Sequence, residues 1–312
     1  MKKITYSAPA KVIISGEHAV VFGKPALVSA IDLRSKFSIW ETKIQKKDSN
    51  VQLIIDVVQK YLTKEKIKFK NKRFDFKISS EVPVGRGLGS SAAFCVAGVA
   101  AISYFYTKKQ FSLDIINQLA YQCEKHFHKN PSGVDPSMVC YGGLIYYRKE
   151  FEFLKNISRL NITIPKAIED NLYLIDTGKP QENTGEIVVR VGALYNKEPE
   201  RVEDLLNQIE KVTRKMTVSI IKKDTLVFQE CINENQMLLA KLGVVSKNTI
   251  KLLEKMRQFG VGKITGAGGF KAGSGFILSF AQDKSKLEKY CQCNKLQYYK
   301  FKQSEEGLKR EE

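Results

Sequence analysis

The chain has 312 residues, 43% of them hydrophobic and 27% charged, a globular composition that excludes collagen-like, low-complexity and wholly disordered proteins. At roughly 150 residues per domain its length suggests about two domains. The net charge of +18 is carried by 41 Lys and only 10 Arg. Arginine is the residue of bidentate phosphate and guanine contacts, so the excess reads as solvated basic surface, and no nucleic-acid partner is expected.

Six cysteines are too sparse for a disulfide scaffold, and Cys291-Gln292-Cys293 lacks zinc-finger spacing, so reduced thiols and a cytoplasmic location are expected. Met1-Lys2-Lys3 is not followed by the apolar block of a signal peptide. The uncharged stretch from Gly87 to Thr107 approaches bilayer length, but it contains Gly98 and Ser103 and reads as a buried core helix. No membrane partner is expected.

In chain order, Val12–Ile14 and Leu33–Trp40 read as extended, and Phe74, Phe76 and Ile78 alternate with polar neighbours as a strand does. Residues 53–63, 89–106 and 113–127 read as helices, the last with Ser112 as N-cap and Ile116, Leu119, Ala120, Cys123 and Phe127 on one face. Strand returns at Gly143–Tyr147 and Leu172–Asp176. Helices are predicted at 184–196, 202–218, 226–242 and 247–259, the last stopped by Gly260, with strands at 275–281 and about 296–301. The charged end, Ser304–Glu312, reads as a tail. Strands mixed with helices without regular βαβ alternation predict an α+β protein, divided near residue 165 into 1–165 and 166–312.

Four segments carry chemistry. Pro83-Val84-Gly85-Arg86-Gly87-Leu88-Gly89-Ser90-Ser91-Ala92 links a strand to an apolar helix. Glycines allow close backbone approach and a helix start attracts anions, yet the segment is neither a Walker A loop nor a Rossmann fingerprint. Alone, it reads equally well as a tight turn. Glu124 and Asp135, separated by Pro131-Ser132-Gly133, place one carboxylate on a helix and one on a loop, which suits a metal ligand and a proton acceptor. His126 and His128 lack helical metal-ligand spacing and read as surface residues. Lys11 precedes an apolar strand, and Gly16-Glu17-His18 follows it as a polar turn. Lys263-Ile264-Thr265-Gly266-Ala267-Gly268-Gly269 reads as a loop or as a second backbone cradle for substrate or phosphates.

Together these segments resemble the GHMP kinase family of small-molecule kinases, which includes galactokinase, homoserine kinase, mevalonate kinase and phosphomevalonate kinase. Pro83–Ala92 carries the family's phosphate loop. Ala8–Gly23, Asn130–Asp135 with Tyr141-Gly142-Gly143, and Asp176-Thr177-Gly178 leading to Asn183-Thr184 are most similar to the mevalonate kinase branch. Ala10 stands where the family usually has Gly, Arg86 where a small residue is common, and Phe270–Gly275 where a glycine string is usual.

The resemblance implies a fold with an N-terminal domain like ribosomal protein S5 domain 2 and a ferredoxin-like C-terminal domain. It also implies ATP-dependent phosphorylation of the 5-hydroxyl of mevalonate, with phosphomevalonate kinase as the nearest rival and an inactive GHMP-like binding protein as the rival of another class. A homodimer is compatible with it. In that reading Pro83, Gly85, Arg86, Gly87, Leu88, Gly89, Ser90, Ser91 and Ala92 bind ATP, and Ser91 and Glu124 hold Mg²⁺. Asp135 takes the hydroxyl proton, Lys11 pairs with it, and Glu17, His18, Thr184, Gly266 and Ala267 shape the substrate pocket.

Overall fold

The computed structural model describes residues 3–43, 46–127, 132–151 and 155–311. His128, Asn130 and Pro131 lie outside them.

The first half is built on a long hairpin. β1 (Ile4–Ser15) and β2 (Ala26–Glu41) pair antiparallel from Ile4↔Ile39 to Ser15↔Leu27. After α1 (Ser49–Lys64), β3 (Phe74–Ser80) pairs with the outer end of β2. α1 starts four residues before the predicted 53, where the Asp48 side chain caps it by accepting from the amides of Asn50 and Val51. α2 (Ser90–Thr107) and α4 (Val134–Tyr141) pack on the sheet, and α3 (Leu113–Phe127) packs on both helices. α2 is long and apolar enough to cross a bilayer, yet 72% of it is buried among these elements, which is what an all-round apolar core helix does. β4 (Leu144–Lys149) then joins the inner end of β2, and β5 (Lys155–Leu160) joins β4.

After the short α5 (Lys166–Glu169) comes β6 (Leu172–Asp176), followed by four helices: α6 (Thr184–Lys197), α7 (Pro199–Lys222), α8 (Thr225–Lys241) and α9 (Lys247–Met256). β7 (Gly260–Thr265), β8 (Phe276–Ala281), α10 (Lys284–Cys293) and β9 (Tyr298–Lys300) complete a four-stranded antiparallel sheet of order β7-β8-β6-β9. One cluster of buried residues runs from Val12 and Ile14 on β1 through Ile209 and Val212 on α7 to Phe228 on α8 and Leu278 on β8. The two halves therefore share a core. The architecture is α+β.

The structure departs from the sequence reading in several places. Gly260 does not stop α9, which ends at Met256; it opens β7 at φ 153°, where an added Cβ would lie 2.0 Å from the Phe280 carbonyl. Lys263 to Thr265 belong to that strand and not to a loop. The charged end is no tail: β10 (Lys309–Glu311) pairs antiparallel with β1, Thr5 opposite Glu311. The buried Arg34 anchors this return, with Nε to Ser7 Oγ at 2.8 Å and Nη2 to the Gly307 carbonyl at 2.6 Å. We keep 1–165 and 166–312 as a proposed division, with β10 as the piece that crosses back.

Candidate active site

Register shifts in β1 at Pro9/Ala10 and Ile13/Ser15 bracket Lys11. Such bulges bend a strand and re-aim its side chains. The Lys11 amide donates to the Leu88 carbonyl at 3.0 Å, which ties β1 to the glycine loop. Its ammonium reaches Asp135 Oδ1 at 3.0 Å; the lysine side chain is 3% exposed and the aspartate 32%. Asp135 sits in the first turn of α4 behind Gly133, not on a loop as its surroundings in sequence predict. Helix geometry fixes its backbone.

The glycine loop passes close to both neighbours. Gly87 faces Gly266, where a Cβ on the latter would meet the Gly87 carbonyl at 3.0 Å. Gly89 caps α2 at φ 75°, and a Cβ there would lie 2.8 Å from Lys11 Cγ. Gly89→Ala should therefore push the lysine stem away from Asp135. A misplacement of about 1 Å costs on the order of a hundred-fold in rate, and we expect a loss of kcat on that scale in steady-state assays. Unaltered kcat would show that the stem has room to move.

Two clefts meet at this point. The first encloses about 880 Å³, part of it open to solvent, between walls of Ile13, Val20, Val21, Val188 and Val189. Lys11, His18, Glu124, Ser132, Asp135, Thr184, Gly266 and Ala267 supply its polar groups and backbone. The second, of about 1090 Å³, is lined by Gly85, Arg86, Gly87, Gly89, Ser90, Ser91, Lys179 and Glu182. Gly87, Asp135, Thr184 and Ala267 line both. No side chain caps the start of α2, so its first amides remain available beside Ser90 and Ser91.

Of the residues expected to bind nucleotide, Leu88 and Ala92 are buried in the core and support the loop, and Pro83 borders neither cleft. Glu17, expected in the substrate pocket, is fully buried behind it. His126 is exposed. The sequence reading missed the valine walls, because apolar residues carry no chemical signal, and also Lys179 and Glu182, which no motif covers.

Glu124 is buried, and burial first, then the charge of Asp135, pushes its carboxyl up to about 7, against the pull of the Ser91 hydroxyl and Lys11. Burial likewise lowers His18, whose Nε2 lies 2.9 Å from the Ala267 carbonyl. A carbonyl only accepts, so Nε2 carries the proton and neutral His18 keeps Nδ1 as an acceptor. No group of three or more His, Cys, Asp or Glu side chains suited to a metal occurs among the described residues. Ser91 and Glu124 instead offer two hard oxygens beside the glycine cradle.

The unusual Phe270–Gly275 segment is closed by hydroxyls in place of glycines. Ser274 Oγ donates to the Gly269 carbonyl at 3.0 Å, and Thr177 Oγ1 donates to Gly275 O at 2.8 Å. The Arg190 guanidinium stacks 3.9 Å from the Phe270 ring centre. Arg86 forms an ion pair with Asp176 of β6, joining the glycine loop to the second sheet.

The family model described as "GHMP kinases N terminal domain" matches residues 52–143. The curated mevalonate kinase of Pyrococcus abyssi is 32% identical over 301 residues, covering 84% of this chain and 85% of its own length. That of Methanocaldococcus jannaschii is 30% identical over 321 residues, covering 92% and 95%. Among solved structures, Methanococcus jannaschii mevalonate kinase superposes with a TM-score of 0.78 at 24% identity, covering 97% of this chain and 99% of its own. Streptococcus pneumoniae phosphomevalonate kinase reaches 0.75 at 14% identity over 97% and 100%, so the fold alone does not separate the two activities. The fold, the paired clefts and the similarity over most of the chain to these curated relatives agree: the chain belongs to the GHMP kinase family, in its mevalonate kinase branch.

Proposed function

We propose that this protein transfers the γ-phosphoryl group of ATP to the 5-hydroxyl of mevalonate. The observation that carries the reading is the Lys11–Asp135 pair, set where an apolar-walled cleft opens into a glycine-lined one. Curated relatives named mevalonate kinase support the acceptor, and the solved "L. major mevalonate kinase in complex with R-mevalonate" (TM-score 0.74, 21% identity, 97% of each chain) shares the fold.

Phosphoryl transfer depends on alignment and charge neutralisation more than on covalent chemistry by the protein. The Gly85–Ser91 loop and the start of α2 hold the phosphates with backbone amides. Asp135 accepts the hydroxyl proton of the acceptor. The adjacent ammonium, 3.0 Å from Oδ1, orients the carboxylate and faces charge developing on the transferring group. The valine walls hold the methyl-bearing carbon skeleton and exclude water. Ser91 and Glu124 fit Mg²⁺, a hard cation that takes few protein oxygens and fills its shell with phosphate and water. Bound there, Mg²⁺ neutralises phosphate charge.

Among the described residues, the first cleft is lined by a single Lys and no Arg, and that Lys is engaged by Asp135. A phosphorylated acceptor would need further cationic donors, so this wall favours the unphosphorylated substrate over phosphomevalonate. The basic surface would draw both anionic substrates toward the site. An ADP-release assay with ATP and Mg²⁺ against mevalonate, phosphomevalonate, galactose and homoserine tests the proposal. Mevalonate should give the highest kcat/KM by a wide margin. A preference for phosphomevalonate would move the chain to the rival branch, and activity with none would make it a binding protein.

A further inference from the structure

Behind the first cleft lies an ion pair that the transfer as described does not use. Lys263 on β7 and Glu17 in the turn after β1 are both wholly buried, each side chain 0% exposed, and neither borders a cleft. The Lys263 ammonium donates to Glu17 Oε1, to the Ile264 carbonyl at 2.8 Å and to the Ile13 carbonyl at 3.5 Å. Thr265 Oγ1 accepts from the Ile13 amide and donates to the Ile13 carbonyl, both at 3.0 Å. The Ala267 carbonyl takes the proton of His18 Nε2. Lys263 and Thr265, two residues apart on one face of β7, and the Ala267 carbonyl beyond the bend at Gly266 thus grip residues 17, 13 and 18.

A buried ion pair is a poor device for stability alone, because well-packed apolar residues of similar volume do as well or better. What an apolar pair cannot supply is direction. Lys11 lies two residues before Ile13 on the same face of β1, and His18 follows Glu17 directly, at φ 60°, a conformation that non-glycine residues hold only under external constraint. Burial draws Glu17 and Lys263 toward their neutral forms, and their mutual attraction opposes it. The charge of Lys11 acts on both, favouring the Glu17 carboxylate and disfavouring the Lys263 ammonium. The three groups therefore form one electrostatic unit reaching from the seam to the reacting end of the cleft.

We infer that Lys263 is a positioning residue for phosphoryl transfer, holding through Glu17 the end of β1 and the turn beyond it so that Lys11 and His18 face the acceptor. The inference rests on the kinase reading above. The test uses the full chain as Lys263→Met, Glu17→Gln and the double variant, measured for melting temperature, ATP affinity and steady-state kinetics with the acceptor. Lys263→Met should lose about a hundred-fold in acceptor kcat/KM, the scale of a misplacement of about 1 Å, with ATP affinity near wild type. The double variant removes both charges; it should recover the melting temperature and keep the kinetic loss. If Lys263→Met does not fold, the double variant decides by the same readout. Wild-type acceptor kinetics in the double variant, or equal losses for ATP and acceptor, would overturn the inference by making the pair a folding device. The wild-type acceptor preference is measured first. A different preferred acceptor would overturn the mevalonate reading, and the same variants would then be read with that acceptor.

Discussion

Asp135→Asn should lower kcat by about a hundred- to ten-thousand-fold, the usual contribution of a general base, while ATP binding survives. The amide keeps the shape of the carboxylate and its place in the first turn of α4, but it cannot take a proton. Lys11→Met should also cripple turnover, by removing the ammonium 3.0 Å from Asp135 Oδ1. The two side chains act on the same proton and the same developing charge. The double variant should therefore cost far less than the product of the single losses. Rapid-quench measurement of a single turnover separates this step from product release. Losses that multiply fully would show that the residues act independently, and an Asp135→Asn enzyme within a few-fold of wild type would remove the base from the mechanism.

Glu124→Gln should separate activity from stability. The carboxylate is buried beside Asp135, and burial and that like charge both disfavour its ionised form. Losing the charge should hold or raise the melting temperature. The same change weakens an oxygen ligand for Mg²⁺, whose charge stabilisation is worth several kcal/mol in such reactions, so kcat should fall on the order of a hundred-fold. Ser91→Ala should follow in the same direction, and the Mg²⁺ concentration giving half-maximal rate should rise in both variants. Unchanged rates and Mg²⁺ dependence would place the metal elsewhere. Stability gained where function is lost is the expected mark of a residue kept for chemistry.

The parts of the site that could be read from sequence are those whose chemistry forces rare residues into fixed spacing: the glycine loop, Lys11, Glu124 and Asp135. Each lines one or both of the clefts. The apolar walls could not be read, because Val20, Val21, Val188 and Val189 look like any core valines until the backbone is placed. Glu17 and Lys263 were misleading for the opposite reason. A charged residue in a turn or a short glycine-flanked segment predicts exposure, and only the meeting of β1 with β7 buries both. β10 was invisible to periodicity, since Lys309–Glu311 has no apolar alternation; it is held by its register on β1, by the Glu311 side chain at Ser7 and by Arg310 over the Tyr104 ring. The start of α7 carried a readable signal, Pro199 in the first helical turn, which hydrophobic spacing passed over in favour of residue 202.

The return of β10 to β1 bears on how the protein is made. During synthesis the hairpin of β1 and β2 emerges early, and one edge of β1 then stays open until Lys309–Glu311 follows. At roughly 5–20 residues per second, the roughly 270 residues between β2 and β10 keep that edge waiting for on the order of tens of seconds. Through this interval Arg34 lacks its acceptors at Ser304, Glu306 and Gly307, and an unpaired strand edge is a template for pairing with other chains. A nascent chain stalled before residue 300 would therefore be the aggregation-prone species, and chaperone demand should fall on the ribosome-bound intermediate more than on the finished enzyme.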